Sequence, residues 1–207
     1  MKQFLTIKLS PENKKLGNFL KTTKKELDSF FNLNIPEPTI FLLNSRKELD
    51  LIWKQKTERW VVGGTKYGAI FILDPKIYSK ESNHIDKNDF WQTLKHEYVH
   101  IYFRHITSGP LPLWLNEGLA SYLAEQKKTC DNPLDVFSYF NNAGPGIYDI
   151  GYFWVELLIR KFGKTSFLKL LKAIESKPNL TEKIFAARFY KIYGFRFNRR
   201  ELNKILN

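Results

Sequence analysis

Residues 96–100 read His-Glu-Tyr-Val-His inside a segment where Phe90, Leu94, Tyr98, Val99, Tyr102 and Phe103 recur at helical spacing. The pattern predicts a helix from Asp89 to about His105, and that helix constrains the chain more than any other feature. Four residues along a helix rotate by about 400°, so His96 and His100 share one face, about 6 Å apart along the axis. Two imidazoles placed in this way can reach a single Zn²⁺, at about 2.0–2.1 Å per Zn–N bond. Glu97 stands next to that face, where a carboxylate can take a proton from metal-bound water.

Elsewhere the chain reads as strands early and helices late. Residues 11–32 predict an amphipathic helix through Leu16, Phe19, Leu20, Leu27, Phe30 and Phe31, ended by Pro36 and Pro38. Thr39–Leu43 predicts a buried strand, and Ser45 with Glu48 three residues on predicts a capping-box start for a helix through about Gln55. Arg59–Val62 and Tyr67–Leu73 predict two strands around a turn at Gly63 and Gly64, and Lys80–Lys87 a polar loop. Helical patterns then run over Trp114–Gln126, over Tyr148–Lys161 with an end at Gly163, over 165–175 and over 181–192. This order implies an α+β fold rather than alternating βαβ units. One domain is expected over 1–207, with a sheet-bearing lobe at 1–108 and a helical lobe at 109–207 around a substrate cleft.

Composition excludes several classes. Hydrophobic residues at 43% and aromatic residues at 15% supply a core, which excludes wholesale disorder. A single cysteine, Cys130, excludes an intramolecular disulfide framework or a Cys-rich zinc site and fits a reducing compartment. The start, MKQFLTIKLSPENKK, lacks a signal-peptide core, and no apolar run approaches the roughly 18 residues of a membrane span. A cytoplasmic location is therefore expected. The net charge of +12 invites a nucleic-acid reading. Its basic pairs, however, are dispersed (Lys14–Lys15, Lys24–Lys25, Lys127–Lys128, Arg199–Arg200), as on a solvated surface rather than in a groove with interleaved aromatics.

A zinc that activates water needs three protein ligands and an open position. Glu117, sixteen intervening residues after His100, lies in Trp114-Leu115-Asn116-Glu117-Gly118-Leu119-Ala120-Ser121-Tyr122, which reads as the first turns of a second helix. A helix–loop–helix return would bring its carboxylate to the histidines; the competing reading is a solvated first-turn acid favoured by the helix dipole. Gly118 favours the former, because a helical glycine costs about 1 kcal/mol against alanine and close approach of another backbone would account for it. The metzincin pattern is excluded: it needs glycine at 103 and histidine at 106, where the chain has Phe103 and Ile106, and Met1 is the sole methionine. His105 is read as a polar last-turn residue and His84 as an exposed loop residue.

His-Glu-Tyr-Val-His followed by Leu111–Leu123, LPLWLNEGLASYL, resembles the gluzincin metallopeptidases of the peptidase MA-like superfamily. The likeness is strong over 94–123, extends over about 59–172 and is slight over the first 58 residues. It implies a zincin-like fold, with an N-terminal twisted sheet carrying the HExxH helix and a mostly helical C-terminal half. It also implies that His96, His100 and Glu117 bind one Zn²⁺ and that Glu97 is the general base of peptide hydrolysis. Trp60–Gly64 with Tyr67–Leu73 is similar to the family's edge strand, so the resemblance implies a peptide or protein substrate lying extended near Gly63–Leu73; the competing reading is an ordinary hairpin. Tyr148-Asp149-Ile150-Gly151 resembles the segment whose tyrosine steadies the oxyanion, a role Tyr148, or else Tyr152, would fill; ordinary packing is the alternative.

The chain departs from the large zinc aminopeptidases of this superfamily. It lacks their glycine-alanine-methionine-glutamate-asparagine segment and room for their flanking domains, and its interval from the second histidine to the glutamate is shorter, so aminopeptidase specificity is not implied. The expected function is a zinc-dependent metallopeptidase. The alternative is a non-catalytic, zinc-stabilised basic module that binds a protein or nucleic-acid partner.

Overall fold

The computed structural model describes residues 14–86, 88–144, 146–175 and 180–206. The fold is α+β, as expected. The chain divides into two compact units at 101/102, inside one helix.

The first unit opens with α1 (Lys14–Phe31), which buries Leu16, Thr23, Leu27 and Phe31 on one stripe. The expected start of this helix at 11–13, like the leader-free reading of residues 1–13, lies outside the described residues. β1 (Ile40–Leu43) follows, then α2 (Arg46–Trp53). Ser45 caps α2 by accepting a hydrogen bond from the Glu48 amide. The Glu48 carboxylate in turn accepts from the Asn44 amide at 2.7 Å, one residue outside the usual capping-box donor. Lys54, in the left-handed region at φ 58°, ends α2.

The hairpin that follows corrects the sequence reading. Arg59–Val62 forms no strand, and Gly63 and Gly64 are not the turn; they begin β2 (Gly63–Lys66). The turn is Tyr67–Gly68, with φ of 53° and 75°. Two consecutive left-handed residues between the paired Lys66 and Ala69 are what a two-residue hairpin requires. Gly64 is needed for space rather than for turning, since a Cβ there would overlap the Trp53 ring and lie 3.0 Å from its Cη2. β3 (Ala69–Leu73) is buried throughout and sits in the centre of the sheet, in the order β1-β3-β2. It pairs parallel with β1 and antiparallel with β2. Phe41 stacks on its register partner Phe71 at 4.8 Å.

Arg46 and Arg59 organise the loops on either side of the hairpin. The Arg46 guanidinium donates to the Glu81, Glu58, Val61 and Arg59 carbonyls and to the Thr57 hydroxyl. Arg59 donates to the Lys80 and Ser82 carbonyls. Residues 80–86 form turns and bends, in agreement with the polar loop expected there; Lys87 lies outside the described residues. α3 (Asp89–Thr107) then carries residues 96–100.

In the second unit, α4 (Leu113–Leu123) precedes a 3₁₀ segment at Pro133–Tyr139 that the sequence reading did not include. α5 (Ile147–Ala173) is interrupted at Gly163, whose φ of 83° breaks the helical path and accounts for the two helices expected on either side. α6 (Glu182–Tyr193) is capped by Thr181 and ends at Gly194, and a short α7 (Arg199–Leu206), also unanticipated, closes the described chain. Trp114, fully buried, stacks on Phe197 at 5.9 Å and meets Phe185 edge-on at 6.0 Å, anchoring α4 in an aromatic core. No helix among the described residues is long and apolar enough to cross a membrane.

Candidate metal centre

α3 is a regular helix through residues 96–100, so His96 and His100 stand one turn apart on a common face. Their ring centroids are 4.7 Å apart and the ring planes nearly perpendicular, at 84°. Both are buried, at 6% and 7% exposure. Leu94, Tyr98, Val99, Tyr102 and Phe103 are sealed from solvent around them, which explains why this segment looks apolar on nearly every side.

Glu117 does not occupy the first turn of α4. It lies in the second, and the first turn carries no acid, so the helix-dipole reading of this residue fails. Every other residue from Trp114 to Ser121 is buried; Glu117 alone is half-buried. One ligand atom each from His96, His100 and Glu117 lies within 4.8 Å of the other two. Two nitrogens and one carboxylate oxygen are a donor set that suits Zn²⁺. Neutral imidazoles with one carboxylate would leave a bound divalent ion with a residual positive charge.

Gly118 is explained by the packing of α4 against α5. A Cβ on Gly118 would overlap the carbonyl group of Gly151 and lie 2.6 Å from its Cα, and a Cβ on Gly151 would lie 2.8 Å from the Gly118 Cα. The backbones touch, as the cost of a helical glycine suggested. Tyr148 is half-buried in the first turn of α5, three residues before Gly151. Tyr152 lies one turn further on; its hydroxyl donates to Glu156 Oε1 at 3.3 Å, and burial, reinforced by the Glu156 carboxylate, pushes its phenol pKa up. Tyr152 is thus committed to a neighbour on its own helix.

Glu97 is 8% exposed, and its carboxylate accepts a hydrogen bond from Thr65 Oγ1 at 2.9 Å. Sequence reasoning missed Thr65. The two residues are 32 apart, and nothing in their spacing marks them as neighbours. Thr65 belongs to β2, the strand at the sheet edge, whereas Tyr67–Leu73, also assigned to the edge, contains the central β3. The edge segment is therefore shorter than Gly63–Leu73.

His105 is exposed in the last turn of α3, as expected. His84 departs from expectation: it is half-buried, its Nε2 lies 3.1 Å from the Trp60 carbonyl, and its ring faces Tyr78 at 5.6 Å. The dispersed basic pairs lie at the surface, with Lys24 half-buried against Asp28 at 2.5 Å. No protein-family model, curated protein or solved structure gives a significant match to this chain.

Proposed function

We propose that the chain is a zinc-dependent metallopeptidase of the gluzincin, peptidase MA-like kind, with a zincin-like fold. The observation that carries the reading is the convergence of His96, His100 and Glu117 ligand atoms within 4.8 Å, next to a buried carboxylate at Glu97. The three side chains would hold one Zn²⁺. When bound, zinc supplies a Lewis acid that polarises a carbonyl and acidifies water.

Glu97 accepts a proton from the attacking water as its oxygen bonds to the peptide carbonyl carbon. It returns that proton to the leaving amine nitrogen as the C–N bond breaks, so that one water is consumed per bond cleaved. The apolar enclosure of α3 keeps bulk water from competing for that carboxylate. The Tyr148 hydroxyl donates to the oxyanion that develops on the former carbonyl oxygen, a contact strengthened as charge accumulates there. The backbone edge of β2 aligns an extended peptide by adding a strand to the sheet, the substrate's own amides and carbonyls supplying the pairing.

The competing reading is a zinc-stabilised basic module without catalysis. It gives the buried Glu97 no role at the metal, because a purely structural site does not need a fourth, non-ligating acid. Chelation separates the two. Removal of metal that stops cleavage of unstructured peptides while the far-UV spectrum persists supports the peptidase. A fold that melts on chelation, from protein that never cut a peptide, supports the module. Affinity for RNA or DNA, if present, would be recognised by its steep salt dependence.

A further inference from the structure

We infer that Thr65 is a positioning residue for Glu97: its hydroxyl selects the carboxylate rotamer used in catalysis and ties that rotamer to the strand that aligns the substrate. This rests on the metallopeptidase reading above. The Thr65 Oγ1–H is shared between Glu97 Oε2 at 2.9 Å and the Glu97 backbone carbonyl at 3.3 Å. One hydroxyl therefore addresses both ends of the same residue, which fixes the side chain relative to its own helix rather than merely pairing a charge. A buried glutamate has three side-chain torsions to restrain, and a carboxylate deprived of its partner loses both orientation and hydrogen bonding.

The strand is held as firmly as the acid. Thr65 pairs with Ile70 in the antiparallel ladder, and Ile70 is completely buried. On one side of it, Gly64 lets the Trp53 ring approach the strand so closely that a Cβ would be displaced. On the other, Lys66 Nζ donates to the Ile52 carbonyl at 2.7 Å, fastening β2 to α2. A threonine on so restrained a strand presents its hydroxyl from a fixed point. β-Branching narrows χ1 further, so the donor needs little extra ordering. Substrate added along β2 and the proton acceptor on α3 then share one registration point, which is where a displacement of about 1 Å costs most in rate.

The test compares T65V, which keeps the shape and removes the donor, with T65S, which keeps the donor. With zinc-loaded protein and a fluorogenic peptide, T65V is expected to lose roughly 10- to 100-fold in kcat, with KM changed less than about threefold and zinc stoichiometry unchanged. T65S is expected to stay within about threefold of the wild type. Equal loss in both variants, or no loss in T65V, overturns the inference. A second arm needs no activity. Side-chain ¹³C couplings of Glu97 in metal-free protein should report one rotamer in the wild type and T65S and averaging in T65V; an unaveraged T65V spectrum also overturns it. If wild-type protein cuts no peptide, the metallopeptidase reading fails, while the rotamer arm still decides whether Thr65 orients Glu97.

Discussion

Gly118 and Gly151 meet backbone to backbone, and neither position has room for a Cβ. Glu117 immediately precedes one partner and Tyr148 lies three residues before the other, so a single helix crossing sets where the carboxylate of the candidate metal cluster and the proposed oxyanion donor sit. G118A should separate α4 from α5 and destabilise the protein by about 1–3 kcal/mol, as overpacking does, and should weaken zinc binding along with it. Urea unfolding and metal titration would read both effects; a G118A protein as stable as the wild type would show that the crossing yields without cost.

Glu97→Gln should abolish peptide cleavage and leave zinc content unchanged, because the amide cannot accept the proton and residue 97 is not among the clustered ligand atoms. Elemental analysis beside a turnover assay decides this. Hydrolysis at wild-type rates by metal-loaded E97Q would remove Glu97 from the mechanism.

His100→Ala and Glu117→Gln should each lower zinc affinity, since on the proposed reading each removes one of the three clustered donor atoms. Equilibrium dialysis against a zinc buffer measures the loss. Unaltered zinc affinity in E117Q would mean that the carboxylate is not a ligand.

The two tyrosines on α5 should behave differently. Y148F is expected to lower kcat by roughly 10²- to 10³-fold, the usual cost of deleting an oxyanion donor. Y152F should change kcat little, because its hydroxyl is already bonded to Glu156. Reversed effects would reassign the role to Tyr152.

Asp50 gives a prediction about acid stability. Thr57, donating from its hydroxyl at 2.6 Å and its amide at 2.8 Å, holds the Asp50 carboxyl below the ordinary carboxylate range. A folded-state pKa lowered in this way contributes stability that is complete above the unfolded pKa and disappears as pH falls through the folded value. T57V should therefore be less stable than the wild type near neutrality, and the gap should narrow as the pH drops below the carboxylate range. Denaturant midpoints across pH would test it, with a gap independent of pH as the contrary result.

The features legible in the chain were local ones. His96 and His100 share a face because a helix repeats nearly every four residues, and the apolar residues among them require such a helix. The α1 stripe, the Ser45 cap and the break at Gly163 are equally short-range, each set by side chains or backbone freedom within a turn or two. The Gly63–Gly64 pair shows where that reasoning stops. Two adjacent glycines read as a turn, yet Gly64 makes room for Trp53, and the reversal falls at Tyr67–Gly68. Thr65 was hidden for a related reason, since its partner is 32 residues away and a threonine in a strand carries no mark of what its hydroxyl will meet. Sequence alone determined which side chains could bind a cation and placed two of them side by side. Tertiary structure decided that Glu117 joins them and that Glu97 is held from the sheet, because both depend on how separate elements pack, and packing is set by the whole set of touching surfaces rather than by any one segment.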